Sequence, residues 1–249
     1  MVTLRPMVLT IGSHDPTGNS GITADIKTIE SIGVQGMSIC TALNFQNENE
    51  TEGVSWVSKE DIMQQIKPIL SHYKMAVIKI GMIKSLKVLK WLTQIVKAYN
   101  PDVKLVWDPI IITSNGYRIH RKLSFTGLKE VLTHIDLITP NWNEITELTG
   151  IGDALESAVM LSHYTSVYLK GGHHPQKMAV DYLINQGEVR EYTPDHVSEN
   201  FKEGIGCVFS SALACYLAKS SSIEDACRMA KDYVLKYLDR TESTLGIYY

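Results

Sequence analysis

The order of apolar runs predicts an α/β fold of three layers, α/β/α, with a central, mostly parallel sheet. Short apolar runs alternate with longer stretches of helical periodicity along the whole chain. Those runs are apolar throughout rather than alternating, as strands are when helices cover both faces of their sheet. No repeat, low-complexity tract or linker-like break divides the 249 residues, so one domain spanning 1–249 is the economical reading.

The elements follow in order. Met7-Val8-Leu9-Thr10-Ile11 opens a strand near 7–12, and a helix near 21–32 places Ile22, Ile26 and Ile29 on one stripe. Further strands are expected near 35–40, 76–80, 103–107, 137–139 and 166–170, each a β-rich apolar run. A hairpin is expected over 179–185 and 188–192, turning at Gln186-Gly187. Helices are expected near 59–72, 86–99, 121–134, 141–150 and 153–163, and two more near 206–219 and 222–239 close the chain.

Composition narrows the function classes. A hydrophobic fraction of 44% and a charged fraction of 20% are those of an ordinary globular protein, long enough to bury a core without disulfides or metals. Net charge is −3 and no Lys/Arg run forms a stripe, so nucleic acid and anionic membrane are poor candidate partners. Cys40, Cys207, Cys215 and Cys227 show no C-x-x-C spacing, which suits a reducing compartment. Residues 1–6 carry no signal peptide and no apolar run reaches membrane-spanning length, so the expected location is the cytoplasm.

In sheets of this kind ligands bind at the carboxyl ends of the strands, so the loops there carry the chemistry. The first, residues 12–21, is rich in small residues that let a ligand approach the backbone. Asp25 lies one turn into the following helix at the edge of its apolar stripe, where a carboxylate is costly unless paired; the plainer reading is a helix-start acid favoured by the dipole. Gly204-Ile205-Gly206-Cys207 is the sharpest signal. Glycines running directly into a helix leave open amides for an anion, and a transferring phosphoryl group is the anion such a hole serves best. Cys207 falls in the first turn, where the dipole favours a thiolate, or is simply a small buried hydrophobe.

Asp108-Pro109 sets a carboxylate at a strand end, and Asn141 with Glu144 lies three apart after Pro140. Such oxygens suit Mg²⁺ shared with phosphates, and they equally suit a helix cap with its capping-box partner. Lys170 with Gly171 and Gly172 offers a point charge to a polyphosphate, or is a solvated lysine at a turn. His14, His173 and His174 lack a further ligand at zinc-site spacing. The chain has no G-x-x-x-x-G-K-[ST] loop, no complete G-x-G-x-x-G after an early strand and no G-x-S-x-G elbow.

Taken in order, these segments resemble the ribokinase-like superfamily, and within it the hydroxymethylpyrimidine and phosphomethylpyrimidine kinases. The resemblance runs through residues 15–28, 36–47, 79–82, Asp108-Pro109, 138–144 and 170–173. It implies the three-layer ribokinase-like fold and transfer of the γ-phosphoryl of ATP, with Mg²⁺, to the primary alcohol of hydroxymethylpyrimidine in thiamin biosynthesis. It implies a substrate pocket of Gly12, Ser20, Asp25, Asn44, Gln46, Met82 and Ile110, in which Gln46 reads ring nitrogens or the amino group. It places Asp108, Asn141, Glu144, Lys170 and Gly172 at the nucleotide, with Asp108 and Glu144 toward the metal. It makes Gly204, Ile205, Gly206 and Cys207 the catalytic anion hole, and it implies a homodimer. The chain departs from the family's pattern at Glu203 and Ile205, where the family carries His and Thr, and at Asn44 and Phe45, where it carries smaller, less polar residues. A pyridoxal kinase of the same fold and a non-catalytic pyrimidine-binding homologue are the alternatives. The stretch 110–116 has no cysteine, which favours the pyrimidine over pyridoxal.

Overall fold

The structure is a computed structural model that describes residues 5–47, 49–113, 116–120 and 123–248. Among the described residues nine strands form one sheet: β1 (Met7–His14), β2 (Gln35–Gln46), β3 (Thr51–Trp56), β4 (Val77–Ile80), β5 (Lys104–Trp107), β6 (Leu137–Ile138), β7 (Ser166–Leu169), β8 (Asp181–Asn185) and β9 (Glu188–Tyr192). Their order is β3-β2-β1-β4-β5-β6-β7-β8-β9. Pairing is parallel from β2 through β7, and antiparallel at β3 on one edge and at β8 and β9 on the other.

Period-two alternation sorts the strand residues between two cores. Leu9, Ile11, Ile78, Ile80, Leu105 and Trp107 pack on one face against α2 (Lys59–Leu70), α3 (Leu86–Tyr99), α4 (Phe125–Leu132), α5 (Trp142–Thr149) and α6 (Ala154–Leu161). Val8, Val77, Val106 and Tyr168 point the other way, against α7 (Ile205–Ala218) and α8 (Ile223–Asp239), with Ile29 of α1 (Gly21–Ser31) in the same cluster. Helices on both faces are the reason the strands read as unbroken apolar runs.

Two expectations change. Residues 41–46 continue β2, and 42–46 pair with β3, which the apolar pattern did not reveal. This part of the sheet alternates buried and exposed positions, and Leu43 and Phe45 lie on its open side, so it lacks the doubly buried signature. The helix expected from 121 starts at Phe125, capped by the Ser124 side chain, which accepts from the Gly127 amide; residues 121 and 122 lie outside the described residues. No helix among the described residues is long and apolar enough to cross a membrane.

Candidate active site

The carboxyl ends of β1, β4, β5, β6 and β7 converge on the amino end of α7. Gly204 caps that helix at φ +74°, and a Cβ there would stand 1.9 Å from the Asn19 carbonyl oxygen, so only glycine lets the two loops close on each other. The first amide to bond within the helix is that of Val208, donating to the Gly204 carbonyl. The amides of Ile205, Gly206 and Cys207 precede it and face the loops.

Around that helix end stands a carboxylate–lysine cluster. Asp108 Oδ1 accepts from Lys170 Nζ at 2.8 Å and from Thr139 Oγ1 at 3.0 Å, and Oδ2 accepts from Ser210 Oγ at 3.1 Å. Glu144 Oε2 lies 3.8 Å from the same ammonium. A Cβ on Gly206 would be 3.1 Å from Lys170 Nζ and 3.8 Å from Asp108 Oδ2. The open amides, the lysine and the carboxylate therefore meet at one point. Asn141 and Glu144 form a full capping box, with the Asn141 side chain accepting from the Asn143 and Glu144 amides and Glu144 accepting from the Asn141 amide at 2.7 Å. The capping oxygen, Oε2, is also the one nearest Lys170, so the cap holds the carboxylate toward the lysine. Burial pushes the Glu144 carboxyl up to about 7, opposed by Lys170 and reinforced by Asp108. Burial works against the Lys170 ammonium, yet Asp108 and Glu144 hold it above its ordinary range. The donor set of two carboxylates beside a lysine and open amides fits Mg²⁺ held jointly with phosphate oxygens. Gly172 sits exposed in the turn after Lys170, while Gly171 is pressed so close to the Val180 carbonyl that a Cβ would stand 1.8 Å from it.

Under Cys207 lies a second charged pair. Asp25 accepts from Lys79 Nζ on both oxygens, at 2.9 and 2.8 Å, from Ser211 Oγ at 2.8 Å and from Thr10 Oγ1 at 2.5 Å. Burial alone lowers the Lys79 pKa, but Asp25 first and then Cys207 and Asp108 hold it above the usual lysine range. Asp25 has no exposed surface. Both its oxygens are taken by these side chains. Of the two readings of Cys207, its burial favours the neutral thiol over the thiolate. Burial pushes its thiol up to about 12, and Lys79 only partly offsets this.

The first loop is organised by Asp15, which accepts from the Thr17 and Ser20 amides and from both hydroxyls at 2.8 to 2.9 Å. Ser20 is thereby held at the start of α1, and Gly21 at φ +61° approaches the Ser13 carbonyl so closely that a Cβ would be 2.1 Å away. Gly12 packs against Ile22 and Gly81. Asn44 donates to Ser13 Oγ at 3.3 Å and to Gln46 Oε1 at 3.2 Å, and Gln46 also accepts from Thr51 Oγ1 at 3.3 Å. Asn44 and Gln46 therefore share the inner face of β2. Met82 is buried, its carbonyl taken by Thr41 Oγ1 at 2.7 Å. Ile110 lines a small cavity with Gly81, Ile83, Trp107 and His120. In the stretch 110–116, residues 114 and 115 lie outside the described residues.

Sequence reasoning assigned no role to Lys79, Thr139, Ser210 or Ser211. Each carried a signal of one kind: a polar side chain inside an otherwise apolar strand or helix, which demands a buried partner.

The family model for phosphomethylpyrimidine kinase matches residues 15–247. The hydroxymethylpyrimidine/phosphomethylpyrimidine kinase of Bacillus subtilis is 32% identical over 248 residues, 96% of this chain and 90% of that one. The protein of the same name from Streptomyces coelicolor is 30% identical, covering 92% of this chain and 87% of its own. Among solved structures, the phosphomethylpyrimidine kinase of Clostridium difficile superposes with a TM-score of 0.76 at 30% identity, covering 93% of this chain and 99% of that one. The pyridoxal kinase of Staphylococcus aureus in complex with pyridoxal gives a TM-score of 0.85 at 22% identity, over 99% of this chain and 94% of that one, a likeness of fold. The fold is ribokinase-like, and the chain belongs to the phosphomethylpyrimidine kinase family.

Proposed function

We propose that the protein transfers the γ-phosphoryl group of ATP to the primary alcohol of hydroxymethylpyrimidine, and to its monophosphate, in thiamin biosynthesis. The observation that carries this reading is the meeting of Gly206 with Lys170 and Asp108. A loose phosphoryl-transfer transition state spreads charge over its oxygens, so fixed donors and cations supply most of the catalysis. The amides of residues 205–207 stabilise that charge, and Lys170 exchanges Asp108 for phosphate oxygens. Asp108 and Glu144 would hold Mg²⁺, which neutralises the polyphosphate when bound. Cys207 borders the acceptor hydroxyl and assists removal of its proton, with the Lys79 ammonium as the neighbouring charge that favours the thiolate. A thiol at about 12 is a poor base at rest, so the amides carry the larger share of the rate.

Asn44 and Gln46 on the inner face of β2 form the polar wall for the ring, with Met82 behind them. We also infer that the protein works in the cytoplasm as a homodimer, a reading supported by the open β3 edge and the exposed Leu43 and Phe45 beside it. The experiment is ADP release with MgATP and hydroxymethylpyrimidine, with the phosphorylated product identified by mass. No ADP release above the no-alcohol background, from folded protein, sinks the reading.

A further inference from the structure

Lys202 is one of the largest fully buried side chains, 1% exposed, and stands two residues before the glycine that caps α7. It differs from Lys79 and Lys170 in having no carboxylate within ion-pair distance among the described residues, Asp239 acting on it only from further away. Its ammonium donates instead to two backbone carbonyls of the carboxyl-terminal segment, those of Thr241 and of Ser243, the latter at 3.0 Å, and lies 6.0 Å from the centre of the Tyr237 ring. Burying a cation whose hydrogen bonds go to neutral carbonyls is costly, and burial holds the Lys202 pKa below the ordinary lysine value although Asp239 opposes this.

The segment it grips is itself docked tightly. A Cβ on Gly246 would fall 1.6 Å from the Tyr237 hydroxyl oxygen, so only glycine allows the close approach. Tyr237 donates to the Tyr248 hydroxyl at 3.2 Å, and Arg240 donates to the Ile247 carbonyl at 3.2 Å. The Tyr248 ring lies 5.3 Å from Lys27 Nζ, which donates at 2.9 Å to the Gly18 carbonyl of the first loop. Asn200 ties the loop that carries Lys202 to the last turn of α8, donating to the Leu238 carbonyl at 3.2 Å. Residues 240–248 therefore run from the end of α8, past the loop that leads into the anion hole, to the loop that closes on Gly204 from the other side.

We propose that Lys202 is a positioning residue, clamping the carboxyl-terminal segment as a strap that fixes the open amides of residues 205–207 against the first loop. The Lys202 ammonium is spent on the Thr241 and Ser243 carbonyls. It acts through Gly204, two residues further along the same loop, whose backbone closely approaches the Asn19 carbonyl. The kinetic consequence rests on the kinase reading above; the structural one does not.

The test uses the full chain with Lys202→Met, which keeps the stem and removes the donors, with Lys202→Arg, and with Gly246→Val, which dislodges the strap from Tyr237 without touching Lys202. In the wild type and each variant, amide hydrogen exchange is followed over residues 203–208, and kcat and KM are measured with MgATP and hydroxymethylpyrimidine. Lys202→Met and Gly246→Val are each expected to speed exchange over 203–208 and to lower kcat roughly 10- to 100-fold, the scale of a catalytic group misplaced by about 1 Å. KM for the alcohol stays within about two-fold, the double variant is no slower than the worse single one, and Lys202→Arg recovers part of the loss. Unchanged exchange over 203–208 in folded Lys202→Met overturns the proposal, whether or not the protein turns over. Accelerated exchange with an unchanged kcat also overturns it, because the strap then orders a loop without positioning chemistry. A wild type that turns over no pyrimidine alcohol removes the kinase reading and leaves exchange to decide this one.

Discussion

Lys79 places its ammonium within 2.9 Å of both carboxylate oxygens of Asp25, and the pair is buried between α1, β1, β4 and α7. With Thr10 and Ser211 also donating to Asp25, this network is the floor on which Cys207 stands.

Removing one partner strands the other. Lys79→Met is expected to lower unfolding free energy by about 3–5 kcal/mol, read by urea denaturation, because it leaves an uncompensated buried charge. Lys79→Met with Asp25→Leu is expected to be less destabilised than the sum of the two single changes. Strict additivity would mean that the pair is not energetically coupled.

The thiol of Cys207 is expected to be unreactive in the ligand-free protein. A group pushed up to about 12 is a thiol throughout the neutral range, so iodoacetamide at pH 7.5 modifies Cys207 more slowly than an exposed cysteine. Peptide mapping of the alkylated protein reads this directly, and rapid labelling at Cys207 contradicts the burial argument. Cys207→Ala is expected to lower kcat far more than it weakens ATP binding; a near-normal kcat makes Cys207 a packing residue.

Glu144 gives the site a pH dependence. Its carboxyl is raised from 4.5 to about 7, by burial first. Because the folded protein holds this proton more tightly than the unfolded chain, the group's stabilising contribution is complete below about 4.5 and is lost as pH rises through about 7. Ionisation creates the metal-binding form, so apparent Mg²⁺ affinity is expected to rise between pH 6 and 8. In Glu144→Gln that rise should vanish; a slope retained in the variant assigns the titration elsewhere.

Asp108→Asn is expected to reduce Mg²⁺-dependent activity, with partial recovery at higher Mg²⁺, since one carboxylate leaves a site whose metal is shared with phosphates. Superimposable Mg²⁺ titrations for variant and wild type would remove Asp108 from the metal region.

Much of this site was legible because glycines and strand-end polar residues are costly wherever they serve no purpose. Residues 204–207 read as an anion hole from two glycines entering a helix, and the structure puts that helix end against Lys170 and Asp108. The parallel strands read well because both their faces are buried. The β2–β3 extension did not, since its open face makes the pattern half polar and loop-like. Asp25 was flagged as costly unless paired, but its partner Lys79 lies 54 residues away, a distance that only the sheet order closes. The sequence left the state of Cys207 open because the helix dipole is local and visible in sequence, whereas the burial that opposes it comes from the whole fold.

Ile205 offers only alkyl groups where the resemblance implies a hydroxyl. A positioned donor to developing charge is worth up to about 2.7–4 kcal/mol, and less where amides already serve the same oxygens. Ile205→Thr is therefore expected to raise kcat with little change in substrate affinity, and the shared branch at Cβ spares the backbone. A lower kcat in the folded variant would mean that the site has been rebuilt around isoleucine.

The most direct test of the central claim is kcat/KM with MgATP for hydroxymethylpyrimidine and for pyridoxal on the same preparation. The Asn44–Gln46 wall and the membership in the phosphomethylpyrimidine kinase family predict a higher value for the pyrimidine. A higher value for pyridoxal would contradict the substrate while leaving the kinase, and absence of turnover with either alcohol would contradict both.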